Sequence, residues 1–447
     1  MSRPTQGYLP FLLAAGLLAA CSSHPPAGIP VANARPPQSG DPAMDEIARS
    51  YVRLVLAVGQ HDANYVDAYY GPQEWRAEVE AEKLPLDAIH RRVEDLLGKL
   101  SARPAGASDD ELVALRHRYL DRQLRAVAAR VEQLEGKKTS FDEESEALYD
   151  AVAPRQEEKD FDPVLADLER AVPGDGPLGE RIQTFRKAFV IPADRLDAVF
   201  RAAIRECRAR TLAHVALPAQ ESFEVEYVTG KPWSAYNWYK GDLHSLIQVN
   251  TELPTQIDRA IDLACHEGYP GHHVYNALLE DRLVRGRGWV EYTVYPLFSP
   301  QSLIAEGTAN FGIEVAFPGS ERTAFERDVL YPIAGLDPSQ AERYAEVLRL
   351  LSRLDYAGNT AARRYLDGEI DSEEAARWLE RYTLTSPARA EQRVRFFDTY
   401  RSYVINYNLG RDLVRAYVER ASGGDPEKRW QVFTELISSP RLPSGLR

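Results

Sequence analysis

The eight residues HEGYPGHH, His266 to His273, hold three of the chain's nine histidines together with Glu267. Imidazole is a common zinc ligand, and a carboxylate beside a ligand can serve as general base for a hydrolytic metal centre. The stretch opens like the zinc-protease pattern H-E-x-x-H, but its fifth residue is Pro270. In a regular helix, histidines four apart stand one turn above each other and can share a metal. His266 and His272 are six apart. An unbroken helix would set their rings about 120° apart around the axis and about 9 Å apart along it. Pro270 removes a backbone donor and clashes with the carbonyl of residue 266, and Gly271 frees the backbone. A bulge that absorbs two residues would return His272 to the second ligand position. His273 is the alternative: it lies on the face of His266 in an ideal helix, but two turns away.

Catalytic zinc needs a third protein ligand and an open position for water, with a base in reach of that water. Glu267 supplies the base. Downstream, Ser299-Pro300-Gln301-Ser302 starts a helix that continues IAEGTANFG. Glu306 is the candidate third ligand there. Ala305 and Gly307 on either side of it permit close approach to another helix. Asn310, one turn later, could accept from the second ring nitrogen of a ligand histidine.

HEGYPGHH followed by EGTANFG resembles the bacterial family named domain of unknown function 885, whose pattern is H-E-x-x-P-G-H-H and then E-G-x-A. That family resembles the glutamate zincins, metallopeptidases with a HExxH helix and a downstream glutamate ligand. Dipeptidyl peptidase III is similar, with one residue inserted before the second histidine. The resemblance spans most of the chain after its leader. It implies a zincin-like fold, one zinc ion, a peptide substrate, ligands His266, His272 and Glu306, and Glu267 as base. YNLGRDLV, Tyr407 to Val414, is similar to the family's late Y-x-x-G segment, which implies Tyr407 as donor to the oxyanion. The chain departs at Val274-Tyr275-Asn276, where many members have a glutamine, and at Thr308, where an aromatic is common. Both departures bear on the substrate more than on the metal.

The elements that must position these residues read as helices. The spacing predicts helices over Asp45–Val58 and Glu111–Leu134, one behind a capping box at Ser140, and one opened by Pro192. Further helices run from Ser339 to about Leu366 and start at Asp371 and at Ser386-Pro387. The motif's own helix has Thr255 as N-cap and Ile257, Ala260, Ile261 and Ala264 as its apolar stripe. His266 points about opposite Ile257, so it is solvated or faces a cleft. Residues 222–250 alternate β-branched or aromatic with polar residues between turn signals, which predicts two or three strands; Trp289 to Tyr295 is another strand-like run. The expected fold is therefore mostly α, a multi-helix zincin-like fold with a small β-sheet next to the active-site helix. The outer edge of a strand at 243–250 could hold an extended peptide. The run Trp233, Tyr236, Trp238 and Tyr239 reads as a hairpin face that could line a cleft. Arg393, Arg395 and Arg401 are cations that a peptide carboxylate could use, with surface salt bridges as the ordinary alternative.

Leu9 to Ala20 is apolar but too short to span a membrane. It ends in Leu18-Ala19-Ala20-Cys21, which resembles the bacterial lipobox. That resemblance implies lipidation of Cys21, with Ser22 permitting sorting to the outer membrane. Residues 1–21 read as a lipoprotein signal peptide and 22–42 as a Pro/Ala/Ser-rich tether. Residues 43–216 read as an N-terminal helical lobe and 217–447 as a catalytic lobe, the two forming one integrated domain. Cys207 falls on an apolar helical stripe and Cys265 reads as packing; nothing in the sequence supports a bridge between them. The formal charge of -13 without a basic stripe argues against nucleic acid as a partner. The expected protein is a lipid-anchored, periplasm-facing zinc peptidase that meets the membrane only through its lipid. The alternative is a non-catalytic lipoprotein that binds peptide or cell-wall fragments around a structural metal, with His273 as a fourth ligand. Hydrolysis of other amides, such as those of peptidoglycan stems, is a third reading.

Overall fold

The structure is a computed structural model that describes residues 41–103, 110–231, 233–252 and 254–447. The leader at 1–21, with Cys21, and the tether up to residue 40 lie outside the described residues. The last two tether positions belong to the fold. Asp41 caps helix α1 (Pro42–Val58) by accepting from the Met44 amide, and Pro42 opens it, where a missing N–H costs little.

The protein is mostly α-helical. Strand β1 (Val66–Tyr69) follows α1, and then helices α2 (Leu86–Ser101), α3 (Glu111–Leu134) and α4 (Phe141–Tyr149). Helical spacing of apolar residues accounts for each; in α2 the buried stripe is Ile89, Val93, Leu96 and Leu100. Ser140 and Glu143 form the expected capping box ahead of α4. On α3, the buried Arg116 guanidinium donates twice to Glu291, at 2.6 and 3.0 Å, and once to Asp45 at 3.1 Å. Such a pair tolerates burial because nearly every charge on it is answered.

Helix α5 (Leu196–Leu212) leads into β2 (Ser222–Val228), β3 (Ala235–Gly241) and β4 (His244–Asn250). The sheet order is β2-β4-β3, with β2 parallel and β3 antiparallel to β4. The sequence placed a free edge at 243–250; the structure corrects this, because β4 is the central strand. Positive φ at Gly241, Asp242 and Leu243 folds β3 tightly back on β4, and β2 fills the other side. One face of β4 is buried through Ser245, Ile247 and Val249.

The motif helix begins as α6 (Asp258–Leu263), not at Thr255. Thr255 and Gln256 are still extended: the Thr255 carbonyl accepts from the Ile191 amide at 2.9 Å, and Gln256 bridges Val190. The stripe Ile257, Ala260, Ile261 and Ala264 is buried as expected. A π-turn, Ala264–Gly268, follows, and helix resumes as α7 (His272–Leu279). The run from Trp289 is not a strand. Val290–Thr293 is a 3₁₀ turn that aims Glu291 inward at Arg116, and only β5 (Val294–Pro296) pairs, antiparallel to β1. The motif is thus flanked by two separate sheets rather than one.

Helices α8 (Pro300–Ala316), α9 (Pro387–Tyr400) and α10 (Ile405–Ser422) complete the surroundings of the motif. α8 and α10 meet at Gly307 and Gly410: a Cβ on Gly307 would lie 2.5 Å from the carbonyl carbon and oxygen of Gly410. The long helix expected from Ser339 is broken into Ala341–Ser352 and Ala357–Leu366. Tighter bonds such as Leu354 N–H to the Leu351 carbonyl turn the chain there, and Asp355 meets Arg411 of α10. Among the described residues, no helix is long and apolar enough to cross a membrane.

Candidate metal centre

The interruption in HEGYPGHH does what its composition suggests. In the π-turn, Tyr269 N–H reaches back to the Ala264 carbonyl at 3.3 Å. The Gly271 amide reaches further, to the Cys265 carbonyl at 2.9 Å, and the Tyr269–Pro270 peptide is cis. A Cβ on residue 271 would collide with the carbonyl oxygens of Cys265 and His266, so only glycine lets the chain pass this close. The excursion ends at His272, the first residue of α7. Its Nε2 comes 3.1 Å from His266 Nε2, with the rings edge to face.

Glu306 arrives from α8. Its Oε2 lies 3.4 Å from His266 Nε2, and its Oε1 lies 3.9 Å from His272 Nε2. These residues form a group whose ligand atoms all lie within 4.8 Å of one another. Zinc bound tetrahedrally at about 2.0–2.2 Å from each ligand would space ligand atoms about 3.3–3.6 Å apart. The observed separations of 3.1, 3.4 and 3.9 Å bracket that range. Glu306 Oε2 is also buried without a hydrogen-bond partner, an uncommon and costly state for a carboxylate oxygen. The donor set thus fits a divalent cation of the zinc type.

Burial and mutual charge shift the protonation of the whole cluster. Burial pushes His272 down to about 4, assisted by the neighbouring His266. Burial works the same way on His266, but Glu306 and Glu267 outweigh it and raise its value. Burial opposes ionisation of Glu306 too, and the histidines and Tyr403 overcome it. Burial, together with Glu306, raises Glu267 to about 7 against the opposing effect of His266. No described side chain bonds the Glu267 carboxyl; its backbone carbonyl is held by Asn237 Nδ2 of β3 at 2.7 Å.

His273 is not part of the cluster. It is fully buried, with Nε2 2.9 Å from Glu221 Oε2 and Nδ1 2.9 Å from Ser245 Oγ on β4. Glu221 also receives Tyr269 Oη at 2.5 Å and Arg208 at 2.8 Å. Both ring nitrogens are spent on fastening α7 to the sheet. Asn310 also departs from expectation. Its Nδ2 donates to the backbone carbonyls of Glu306, at 3.0 Å, and Tyr407, at 3.3 Å, and so ties α8 to α10 instead of orienting a histidine. Tyr407 is 36% exposed as a residue, although protein crowds its hydroxyl end, and that hydroxyl has no described partner. Burial and the Glu306 charge hold that hydroxyl protonated well beyond the ordinary range.

Several site residues escaped the sequence reading. Tyr403, one helical turn before Tyr407, donates to Glu306 Oε1 at 2.9 Å and stacks edge-on with Tyr407. The only signal for it was the four-residue spacing from Tyr407. Its turn is anchored by Glu144 of α4, which accepts from Ser402 and Arg401. Asp67 of β1 accepts from Tyr236 Oη of β3. Burial and the charges of Glu306 and Glu267 raise Asp67 to about 7. Nothing in the sequence around Asp67 announces it. Cys207 and Cys265, read as packing residues, form a disulfide with Cα atoms 5.6 Å apart. It fixes α5 to the residue immediately before His266. Each cysteine satisfied an apolar pattern, and burial as a thiol or as a disulfide leaves the same trace in sequence.

No family model and no curated protein matches this chain. Among solved structures, it is similar to a candidate lipoprotein from Colwellia psychrerythraea, at 16% identity and TM-score 0.49, covering 93% of this chain and 76% of that one. It is similar to a carboxypeptidase from Pyrococcus furiosus, at 13% identity and TM-score 0.46, covering 89% of this chain and 91% of that one. It is also similar to metallocarboxypeptidase 1 of Trypanosoma cruzi, at 15% identity and TM-score 0.43, covering 88% and 89%.

Proposed function

We propose that this protein is a zinc-dependent peptidase, held to the bacterial cell envelope, on the periplasmic face of the outer membrane, by a lipid on Cys21. The observation that carries the reading is the triangle of His266 Nε2, His272 Nε2 and Glu306 carboxylate, with sides of 3.1, 3.4 and 3.9 Å. His266, His272 and Glu306 would hold one zinc ion. Zinc bound there would acidify a water and polarise the scissile carbonyl.

The remaining work falls to side chains of this chain. Glu267 is buried beside His266 and its carboxyl has no described partner, so its carboxylate can take the proton of the attacking water and return it to the leaving amine. Tyr403 steadies Glu306, leaving the unpartnered hydroxyl of Tyr407 to donate to the oxygen that becomes negative. Catalysis is favoured over a structural metal because His273, the residue able to close the shell, is spent on Glu221 and Ser245.

The test is zinc content and peptide hydrolysis side by side. Glu267→Gln should keep stoichiometric zinc and lose hydrolysis by on the order of 10²–10⁴-fold. His272→Ala should lose both. His273→Ala should keep zinc while losing stability. Parent protein that purifies without stoichiometric metal and cannot be loaded would sink the scheme. Full zinc with no hydrolysis of any peptide would turn it toward the binding-protein alternative.

A further inference from the structure

Arg393 on α9 has no ion pair and no hydrogen bond among the described residues, although it is half-buried. Its neighbours in sequence are not left so: Arg395 faces Glu391 at 4.0 Å, and Arg401 bonds Glu144. The Arg393 guanidinium lies over Phe396, 4.7 Å from the ring centroid, and 5.7 Å from that of Phe397. A guanidinium carries five donors in a planar fork suited to a carboxylate, and here none of the five is spent on a described residue. Water can serve such a group, but half-burial against two aromatic rings removes part of that hydration and favours an anionic partner.

The position of this cation relative to the centre follows from a ladder of rings. Phe396 contacts Tyr400 at 4.5 Å between centroids, and Tyr400 contacts Tyr403 at 6.1 Å. Tyr403 reaches Glu306. Tyr407 stands beside the ladder, and its hydroxyl senses Arg393 as well as Glu306 and Glu267. The acids around the centre, Glu267, Glu306 and Asp67, are matched to a cation and its water. Arg393 offers the opposite charge at the far end of this ladder of rings.

We propose that Arg393 recognises a carboxylate of the bound substrate, so that the site selects peptides carrying a negative group beyond the scissile bond. This rests on the peptidase reading of the centre. Two sources share the chemistry: the C-terminal carboxylate of a peptide and an acidic side chain.

Equilibrium binding to the zinc-loaded full chain tests it, on a Glu267→Gln background so that nothing is consumed. The probes are N-acetyl-alanyl-alanine as free acid, the same peptide as C-terminal amide, and N-acetyl-alanyl-glutamate with its α-carboxyl amidated. A free acid that binds on the order of 10- to 100-fold tighter than the alanyl amide marks a terminal carboxylate as the ligand. The same gain in the glutamyl amide alone marks a side chain. Arg393→Met should abolish the gain with zinc content unchanged, and Arg393→Lys should restore part of it. Equal binding of all probes, or a carboxylate preference that survives Arg393→Met, overturns the assignment. Hydrolysis by the parent chain is scored separately: carboxylate preference without hydrolysis would leave Arg393 standing and remove the peptidase.

Discussion

Replacing Gly307 by alanine should loosen the centre without touching a ligand. In an ordinary helix this change stabilises by up to about 1 kcal/mol. Here the added Cβ meets the carbonyl carbon and oxygen of Gly410 at 2.5 Å and its Cα at 2.9 Å. Carbon contacts are comfortable at about 3.5–4.0 Å, so α8 and α10 must part by on the order of 1 Å. Both partners are backbone, so no side chain can swing away. Overpacking of this kind costs about 1–3 kcal/mol, which leaves a net loss of up to about 2 kcal/mol after the helical gain. Glu306 is the preceding residue, and Tyr403 and Tyr407 lie on or beside α10. A shift of that size exceeds the roughly 0.2 Å tolerance of zinc–ligand distances, and zinc affinity should fall on the order of 10- to 100-fold. Urea unfolding and a chelator competition measure the two effects. Gly98→Ala in α2, where nothing lies within 4 Å of the new Cβ, is the control and should gain about 0.5–1 kcal/mol. A Gly307→Ala protein as stable as the parent, with parental zinc affinity, would refute the claim that this contact sets the position of Glu306.

Three further outcomes follow from contacts around the centre. Asp67, raised by burial and nearby carboxylates from 3.8 to about 7, keeps its proton longer folded than unfolded. Its contribution to stability is complete below about pH 3.8 and is lost as pH rises toward about 7, at about 1.4 kcal/mol per decade. Zinc-free Asp67→Asn should therefore lack about 2 kcal/mol of the parent's decline between about pH 5 and 7 in urea titrations; an unchanged slope would mean that Asp67 ionises normally. Removing the Cys207–Cys265 bridge, which closes a separation of 58 residues, should cost about 2–4 kcal/mol, and a double Cys→Ser variant with the parent's urea midpoint would contradict that. His273→Ala should lose about 2–4 kcal/mol by emptying a fully buried position and stranding Ser245, while Glu221 keeps Tyr269 and Arg208; weakened zinc binding at unchanged stability would instead argue for a place in the metal shell.

What was legible in the sequence was chemistry that leaves a local pattern. Pro270 and Gly271 stated that the helix must break, and the break returned His272 to His266. The helices at Glu111–Leu134 and behind Ser140, and the strands within 222–250, followed from periodicity and caps. What stayed hidden depended on pairing across the chain. Sheet order is set by which strand returns to which edge, and residues 222–250 alone could not place β4 at the centre. His273 resembles a ligand until Glu221 and Ser245 are seen to claim it. Asp67 and Tyr403 act through neighbours 169 and 97 residues away, at distances no local window can register.

The excursion between Gly268 and His272 has a consequence for how such a centre can vary over time. A metal site on an unbroken helix cannot absorb an insertion, because one added residue swings every later side chain by about 100°. In this chain the two ends are moored independently, His266 through the bridge to α5 and α7 through His273 to the sheet. Residues 269–271 only have to connect two fixed points. Their composition is constrained, since Gly271 must slip past two carbonyls, but the residue count between His266 and His272 is released from helical phase. The motif is then two moorings and a joint, and a lineage could lengthen or shorten the joint while the two imidazoles and Glu306 kept their triangle.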